Sequence, residues 1–126
     1  MIKIAKEKAF ENKIKAYLKS IGAYFIKTHG DRFSRVGTPD IIACVNGHFV
    51  AVEVKAENGK PSELQLYHLE QIALAGGYGA IIVPTEGVEK IKTYISKNYP
   101  EYDNTNVIDL KIFKKVVETL LTSQQK

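Results

Sequence analysis

Cysteine is nearly absent from this chain of 126 residues, in which Cys44 is the only one. A single thiol excludes an intramolecular disulfide, and its place in an apolar run predicts a buried, structural thiol in a reducing compartment.

Long apolar runs are missing too. No segment approaches the roughly 18 apolar residues of a membrane span, and no long apolar stretch follows the basic start MIKIAKEKAF, as a secretory signal would require. These absences predict a cytoplasmic protein without a membrane partner.

Positive charge is concentrated in the first third of the sequence. The net charge is +4, but residues 1–36 carry nine basic and three acidic side chains, whereas the rest carries nine and eleven. A local basic excess suits a polyanionic partner such as nucleic acid, although a solvated lysine-rich helix face would give the same count. The length and the hydrophobic content of 44% predict one globular domain, residues 1–126.

Hydrophobic periodicity predicts alternating helices and strands. Asn46-Gly47 is a strong signal for a β-hairpin, and Ser62 with Gln65 forms a capping box at the start of a helix. A hairpin joined through a helix to a further strand predicts a mixed sheet covered by helices, an α/β fold. The expected elements are a helix at 5–21, strands at 23–29, 40–45 and 48–55, a helix at 62–75, a strand at 78–84, a helix at 87–98, a short strand at 106–110 and a helix at 111–122.

Three charged side chains interrupt the apolar hairpin: Asp40, Glu53 and Lys55. Strand alternation places Glu53 and Lys55 on one face, and counting outward from the turn brings Asp40 level with Glu53. Two neighbouring carboxylates repel each other unless a cation lies between them, and Mg²⁺ suits such ligands. A lysine beside them can hold a water molecule and offset charge on a phosphate. The set fits metal-assisted phosphodiester hydrolysis; the alternative is a surface salt-bridge cluster.

The same residues carry a family resemblance. Pro39-Asp40 followed by Glu53-Val54-Lys55 resembles the signature of the PD-(D/E)XK nucleases. The order "GTPD", "EVK", Gly59-Lys60 and "SELQ" resembles their virus-type replication-repair branch (VRR-NUC) over roughly residues 7–95. The resemblance implies a restriction-endonuclease-like core, in which a mixed sheet is flanked by helices. It also implies a Mg²⁺ cofactor, with Mn²⁺ as a substitute.

The resemblance assigns roles to single residues. Asp40 and Glu53 match the metal-binding carboxylates, the carbonyl of Val54 would be a further ligand, and Lys55 matches the catalytic lysine. Gln65 matches a glutamine beside the family's active site. Its alternative role is the capping box, and the two roles are compatible.

Further site residues precede Asp40 in the sequence. The family has an acidic residue on its first helix, and "ENKIKAYL" places Glu11 at the matching position, with Glu7 as the fallback. The alternative for Glu11 is a solvated partner of Lys15. The flanks of the loop before Asp40 also carry three basic residues that suit DNA phosphates, with plain solvation as the alternative. These three are Lys27, Arg32 and Arg35.

Stand-alone VRR-NUC proteins of this size resemble phage Holliday junction resolvases. The resemblance therefore implies a Mg²⁺-dependent, structure-specific endodeoxyribonuclease for branched DNA, acting in DNA repair or recombination in a bacterial or phage-infected host cell. The approximate two-fold symmetry of a four-way junction predicts a homodimer. Apolar residues of the last helix are a candidate for the contact between the two subunits. The alternatives are a flap or nicking nuclease acting as a monomer and a catalytically silent DNA-binding module.

Overall fold

A computed structural model describes residues 2–28 and 36–123, with side chains from Lys6 onward. The predicted order of elements is confirmed, and their bounds differ from the expected ones by up to three residues. Within the described ranges, no helix has the length and apolar character that a membrane crossing requires. The elements are α1 (Ile2–Ser20), β1 (Tyr24–Lys27), β2 (Ile41–Val45), β3 (His48–Val54), α2 (Glu63–Leu74), β4 (Tyr78–Ile82), a 3-10 turn (Thr85–Gly87), α3 (Val88–Asn98), β5 (Val107–Ile108) and α4 (Leu110–Thr122).

The five strands form one mixed sheet in the order β1-β2-β3-β4-β5. The pairs β1–β2 and β2–β3 are antiparallel, whereas β3–β4 and β4–β5 are parallel. At the hairpin turn, Asn46 and Gly47 have φ values of 49° and 82°. Two consecutive positive φ angles match the tight turn whose twist suits a hairpin. The α/β architecture, a mixed sheet flanked by helices, agrees with the expected restriction-endonuclease-like core.

One face of the sheet is covered by α1 and α4. Phe113 and Val117 of α4 are fully buried against it. Ile112 and Leu121 of the same helix remain exposed, so α4 fills the core with only part of its apolar stripe. The other buried members of this core are Ile14, Leu18, Ile41, Ala43, Val45, Val50, Val52, Val54, Ala80, Ile82 and Ile108.

The opposite face is covered by α2 and α3 on its β4–β5 side. Their core contains Leu66, Leu69, Ile81, Val83, Ile91, Ile95 and Val107. On the β1–β2 side, the register aligns Tyr24, Cys44 and Phe49 in one row across three strands, and all three are exposed. The expectation of a buried Cys44 is therefore wrong, because its side chain lies on the part of the sheet that this helix layer leaves open.

Candidate active site

The charged residues meet where β2 begins and β3 ends. The register pairs Ile41 with Val52, so Asp40 lies beside Glu53 at the next position, as counting from the turn predicted. The carboxylate of Asp40 is held by the backbone of β3, since its Oδ2 accepts a 2.8 Å hydrogen bond from the amide of Val54. The hairpin thus brings the two carboxylates together at one end of the sheet.

Two contacts position Asp40 and the described residues 36–39 before it. Gly37 has a φ of 84°, and a Cβ there would lie 2.8 Å from Cγ of Leu64. Only glycine combines this backbone conformation with such a close approach to α2. On the other side, the amide of Thr28 donates to the carbonyl of Asp40 over 2.8 Å. These contacts explain the glycine in the "GTPD" motif, because they set where Asp40 enters the sheet.

Glu53 is buried, with 2% of its surface exposed. Its Oε2 accepts a hydrogen bond from Gln65 Nε2 at 2.8 Å and lies 3.6 Å from Lys55 Nζ. Among the described residues, nothing hydrogen-bonds to the buried Oε1. Burial, followed by the charge of Asp40, raises the pKa of Glu53 to about 8, although Lys55 acts in the opposite direction. Within residues 2–28 and 36–123, the carboxylate of Glu53 therefore has one oxygen without a hydrogen bond.

Gln65 serves two neighbours at once. Its side-chain Oε1 accepts from the backbone amide of Ser62 at 2.9 Å, and its backbone amide donates to Ser62 Oγ at 3.1 Å, which is the capping box the sequence predicted. Its Nε2 is the donor to Glu53. The two geometric roles therefore coexist, and the start of α2 is tied to the end of β3.

Glu11 joins the site from α1. It is 6% exposed, and three lysines surround it: Lys27 at 2.9 Å, Lys15 at 3.3 Å and Lys8 at 3.6 Å. Burial raises the pKa of Glu11, but hydrogen bonds and charges from Lys27 and Lys15 outweigh it, so the pKa lies below its ordinary value. Glu7 is only half-buried. Of the two candidates on the first helix, Glu11 is the one that reaches the cluster.

Lys27 links the helix to the hairpin. Its Nζ lies 2.9 Å from Oε1 of Glu11 and 3.7 Å from Oδ1 of Asp40. Burial lowers the pKa of Lys27, but Glu11 and Asp40 outweigh burial and raise it. The sequence predicted a phosphate contact and missed this pairing with carboxylates. The available signal was the place of Lys27 at the end of a strand, since the register puts it opposite Ile41, next to Asp40. Arg32 and Arg35 lie outside the described residues.

The residues present fit a divalent cation of the magnesium type. Residues 2–28 and 36–123 contain no group of three or more His, Cys, Asp or Glu that could hold a metal ion. The two neighbouring carboxylates are those of Asp40 and Glu53, and in the described part of the chain Oε1 of Glu53 has no hydrogen bond. Mg²⁺ is commonly bound through one or two carboxylates and keeps several waters, and a pair of carboxylates is compatible with that kind of binding. The further ligand expected at the carbonyl of Val54 stays a prediction.

Comparison with known proteins gives results from solved structures only. A chain described as a VRR-NUC domain is 25% identical and superposes with a TM-score of 0.53, covering 75% of this chain and 97% of that one. The chain has the fold of a VRR-NUC domain. Hjc, a Holliday junction resolvase from Archaeoglobus fulgidus, is 24% identical, with a TM-score of 0.48, over 60% of this chain and 66% of that chain. No family model and no curated protein matches the sequence.

The VRR-NUC fold confirms the family resemblance that the motifs indicated. It does not test the roles of single residues. The catalytic roles of Glu11, Asp40, Glu53, Lys55 and Gln65 therefore stay predictions.

Proposed function

We propose that this VRR-NUC domain is a metal-dependent, structure-specific endodeoxyribonuclease that hydrolyses phosphodiester bonds in branched DNA, with four-way junctions as its main substrate. One observation carries the proposal. Glu53 is buried with one carboxylate oxygen unpaired among the described residues, next to Asp40 and Lys55. A buried carboxylate oxygen with neither a hydrogen bond nor a cation beside it is costly. Oε2 of Glu11 also lacks a hydrogen bond, but Lys15 and Lys8 lie 3.3 and 3.6 Å from it. The site is better explained as one that receives a cation and a phosphate.

Each side chain has a task in phosphodiester hydrolysis. Asp40 and Glu53 would hold Mg²⁺, with the Val54 carbonyl as a further ligand, and the ion would supply electrostatic stabilisation of charge on the phosphate. Lys55 lies beside Glu53 with its ammonium 3.6 Å away, where it can orient a water for attack and donate to a phosphate oxygen. Gln65 keeps the Glu53 side chain in place through its 2.8 Å hydrogen bond.

The charge around the site supports a nucleic-acid substrate. Lys8, Lys15 and Lys27 converge on the carboxylate of Glu11, and Lys27 also lies 3.7 Å from Asp40, so three lysines face two carboxylates in this corner. Lysine side chains near a hydrolytic centre suit contacts to DNA phosphates, which supply most of the affinity and make it dependent on salt. Lys27, Arg32 and Arg35 remain the proposed phosphate contacts from the sequence.

A panel of labelled DNAs tests the function. The panel contains a four-way junction, a flap, a linear duplex and a single strand, each incubated with Mg²⁺, with Mn²⁺ and with EDTA. We expect paired cuts in the junction with either metal and no cuts in EDTA. Cleavage that persists in EDTA would refute the metal dependence. Binding without any cleavage under all conditions would identify a DNA-binding module instead.

We further propose that the protein acts as a two-fold homodimer. One Asp-Glu-Lys cluster makes one cut, and a junction presents two symmetry-related strands, so paired cuts need two subunits. The exposed row of Tyr24, Cys44 and Phe49 supports this proposal, together with Ile26 on the same face of β1. Exposed apolar patches of this kind commonly mark protein interfaces.

Light scattering at micromolar concentration tests the dimer. We expect a dimer for the wild type and a monomer for Tyr24→Lys, with junction cleavage reduced in that variant. Ile112→Lys, on the exposed side of α4, is the matched control and should stay dimeric. If the wild type is a monomer that cuts flaps and leaves junctions intact, the proposed nuclease activity stands. The proposed junction specificity and the proposed dimer are then both refuted.

A further inference from the structure

The amino group of Lys27 lies between two carboxylates from different elements. It contacts Oε1 of Glu11 on α1 and Oδ1 of Asp40 before β2, and the Lys27 side chain is 23% exposed. Asp40 is also the residue proposed to bind metal. Lys27 is therefore a positive charge held by the protein at the edge of the proposed cation site.

We propose that Lys27 is an internal counter-ion of the acidic centre, which stabilises the metal-free protein and weakens the binding of a divalent cation at Asp40. This inference rests on the proposed function, since it concerns the same metal. An ammonium and a divalent cation that share one carboxylate repel each other. The repulsion is large because its energy is proportional to the inverse of the separation and the two cations would lie only a few ångströms apart.

The surroundings of Lys27 explain why it stays in this position. Glu11 holds it through a 2.9 Å hydrogen bond, which is shorter than its 3.7 Å contact with Asp40. Glu11 is itself buried and fixed by α1. A cation bound at Asp40 would thus take over the weaker of the two contacts, and the stronger one would keep Lys27 next to the site. Lys27 then sets how tightly the cation binds without being one of its ligands.

Lys15 offers a matched control on the same carboxylate. It lies 3.3 Å from Oε2 of Glu11 and its side chain is 26% exposed, close to the 23% of Lys27. Among the described residues, however, the carboxylate that Lys15 contacts is Glu11 alone, whereas Lys27 reaches Asp40 as well. Replacing Lys15 or Lys27 by glutamine changes the net charge of the protein by the same amount. Only the replacement of Lys27 removes a positive charge from beside Asp40.

Calorimetric titration of the DNA-free protein with Mn²⁺ tests the inference in wild type, Lys27→Gln, Lys27→Arg and Lys15→Gln. We expect Lys27→Gln to bind Mn²⁺ about tenfold more tightly, Lys15→Gln to change less than about threefold, and Lys27→Arg, which keeps the charge, to resemble the wild type. In EDTA, Lys27→Gln should unfold at a lower midpoint temperature than the wild type. In a separate sample with Mn²⁺ and no EDTA, its midpoint temperature should rise by more than that of the wild type.

The outcomes separate this inference from the proposed function. Unchanged or weaker Mn²⁺ binding by Lys27→Gln would overturn the counter-ion role while leaving a metal-binding nuclease intact. Equal tightening by Lys27→Gln and Lys15→Gln would also overturn it, because net charge would then explain the effect. An absence of Mn²⁺ binding in every variant would overturn the metal-dependent function, and this inference with it.

Discussion

Glu11 and Glu53 are two buried glutamates on opposite sides of the same site, and their pKa values move in opposite directions. Glu11 is 6% exposed and Glu53 is 2% exposed. Burial raises the pKa of both. For Glu11 the lysines Lys27 and Lys15 reverse the effect, so that its pKa lies below the ordinary value. For Glu53 burial and the charge of Asp40 prevail over Lys55, and the pKa reaches about 8.

The difference lies in where each carboxylate finds its positive charge. Glu11 has its counter-ions within the chain, one hydrogen-bonded at 2.9 Å. Glu53 has one lysine, Lys55, 3.6 Å from its Oε2, and a second carboxylate beside it. Among the described residues its Oε1 has no hydrogen bond, whereas Oε2 of Glu11, which has none either, lies near Lys15 and Lys8. A self-contained ion pair stabilises a fold at neutral pH, whereas an under-compensated pair of carboxylates favours a cation from outside.

The largest effect expected concerns cleavage. Replacing Asp40, Glu53 or Lys55 by alanine should lower the single-turnover rate by about a thousandfold or more, because the carboxylates and the lysine act as a unit. Glu57→Ala is the control. Glu57 follows the same strand, but it forms an exposed ion pair with Lys90 at 2.9 Å, and its removal should leave the rate unchanged.

DNA binding sharpens this test. Lys55→Ala should still bind the junction, since most of the affinity comes from other basic contacts to phosphates. Fluorescence anisotropy measures this binding, and rapid-quench assays measure the cut. Full cleavage by Lys55→Ala would refute the mechanism.

The second prediction uses the pH dependence of stability in EDTA. The pKa of Glu53 rises from an ordinary 4.5 to about 8 on folding, so the stability linked to this group is fully present below pH 4.5 and is lost as the pH rises through 8. The free energy of unfolding of the wild type should fall by about 2 kcal/mol or more between pH 5 and pH 9. In Glu53→Gln, urea denaturation should show a flatter profile. Parallel profiles for the two proteins would contradict the raised pKa.

The third prediction concerns the other glutamate. Glu11→Gln removes the common partner of Lys27, Lys15 and Lys8, so it should destabilise the protein by about 1–2 kcal/mol, a modest cost because the lysines are partly exposed to solvent. Turnover should fall as well, because Glu11 is the predicted acidic residue that α1 contributes to the site. Glu7→Gln should change neither stability nor turnover. If Glu7→Gln proves the more harmful substitution, Glu7 rather than Glu11 is the acidic residue of the site.

The smallest effect separates the two roles of Gln65. Ser62→Ala and Gln65→Ala both disrupt the capping box, and each should cost about 1 kcal/mol of stability in urea denaturation. Only Gln65 also bonds to Glu53. The cleavage rate should therefore fall about tenfold in Gln65→Ala and stay near the wild-type value in Ser62→Ala. Equal cleavage rates in the two variants would mean that Gln65 acts only as part of the helix cap.

Much of the site was predictable because its members are close in sequence or related by strand geometry. Strand alternation and the Asn46-Gly47 turn were enough to place Asp40 level with Glu53. The Ser62–Gln65 capping box lies within four residues. The bond from Gln65 to Glu53 was not predictable from spacing, since it depends on how α2 packs against the end of β3.

The sequence by itself determined the elements, the hairpin register and the charged set on its last strand, since each depends on residues a few positions apart. Tertiary structure decided which charged side chains have an opposite charge beside them. Lys27 meets Glu11 across 16 positions because α1 packs beside the edge strand. Cys44 is exposed because the α2–α3 layer covers only part of its face of the sheet. The burial of a carboxylate and the charges beside it both result from packing between distant segments. Both of them shift its pKa. The opposite behaviour of the two glutamates was therefore visible only in the folded chain.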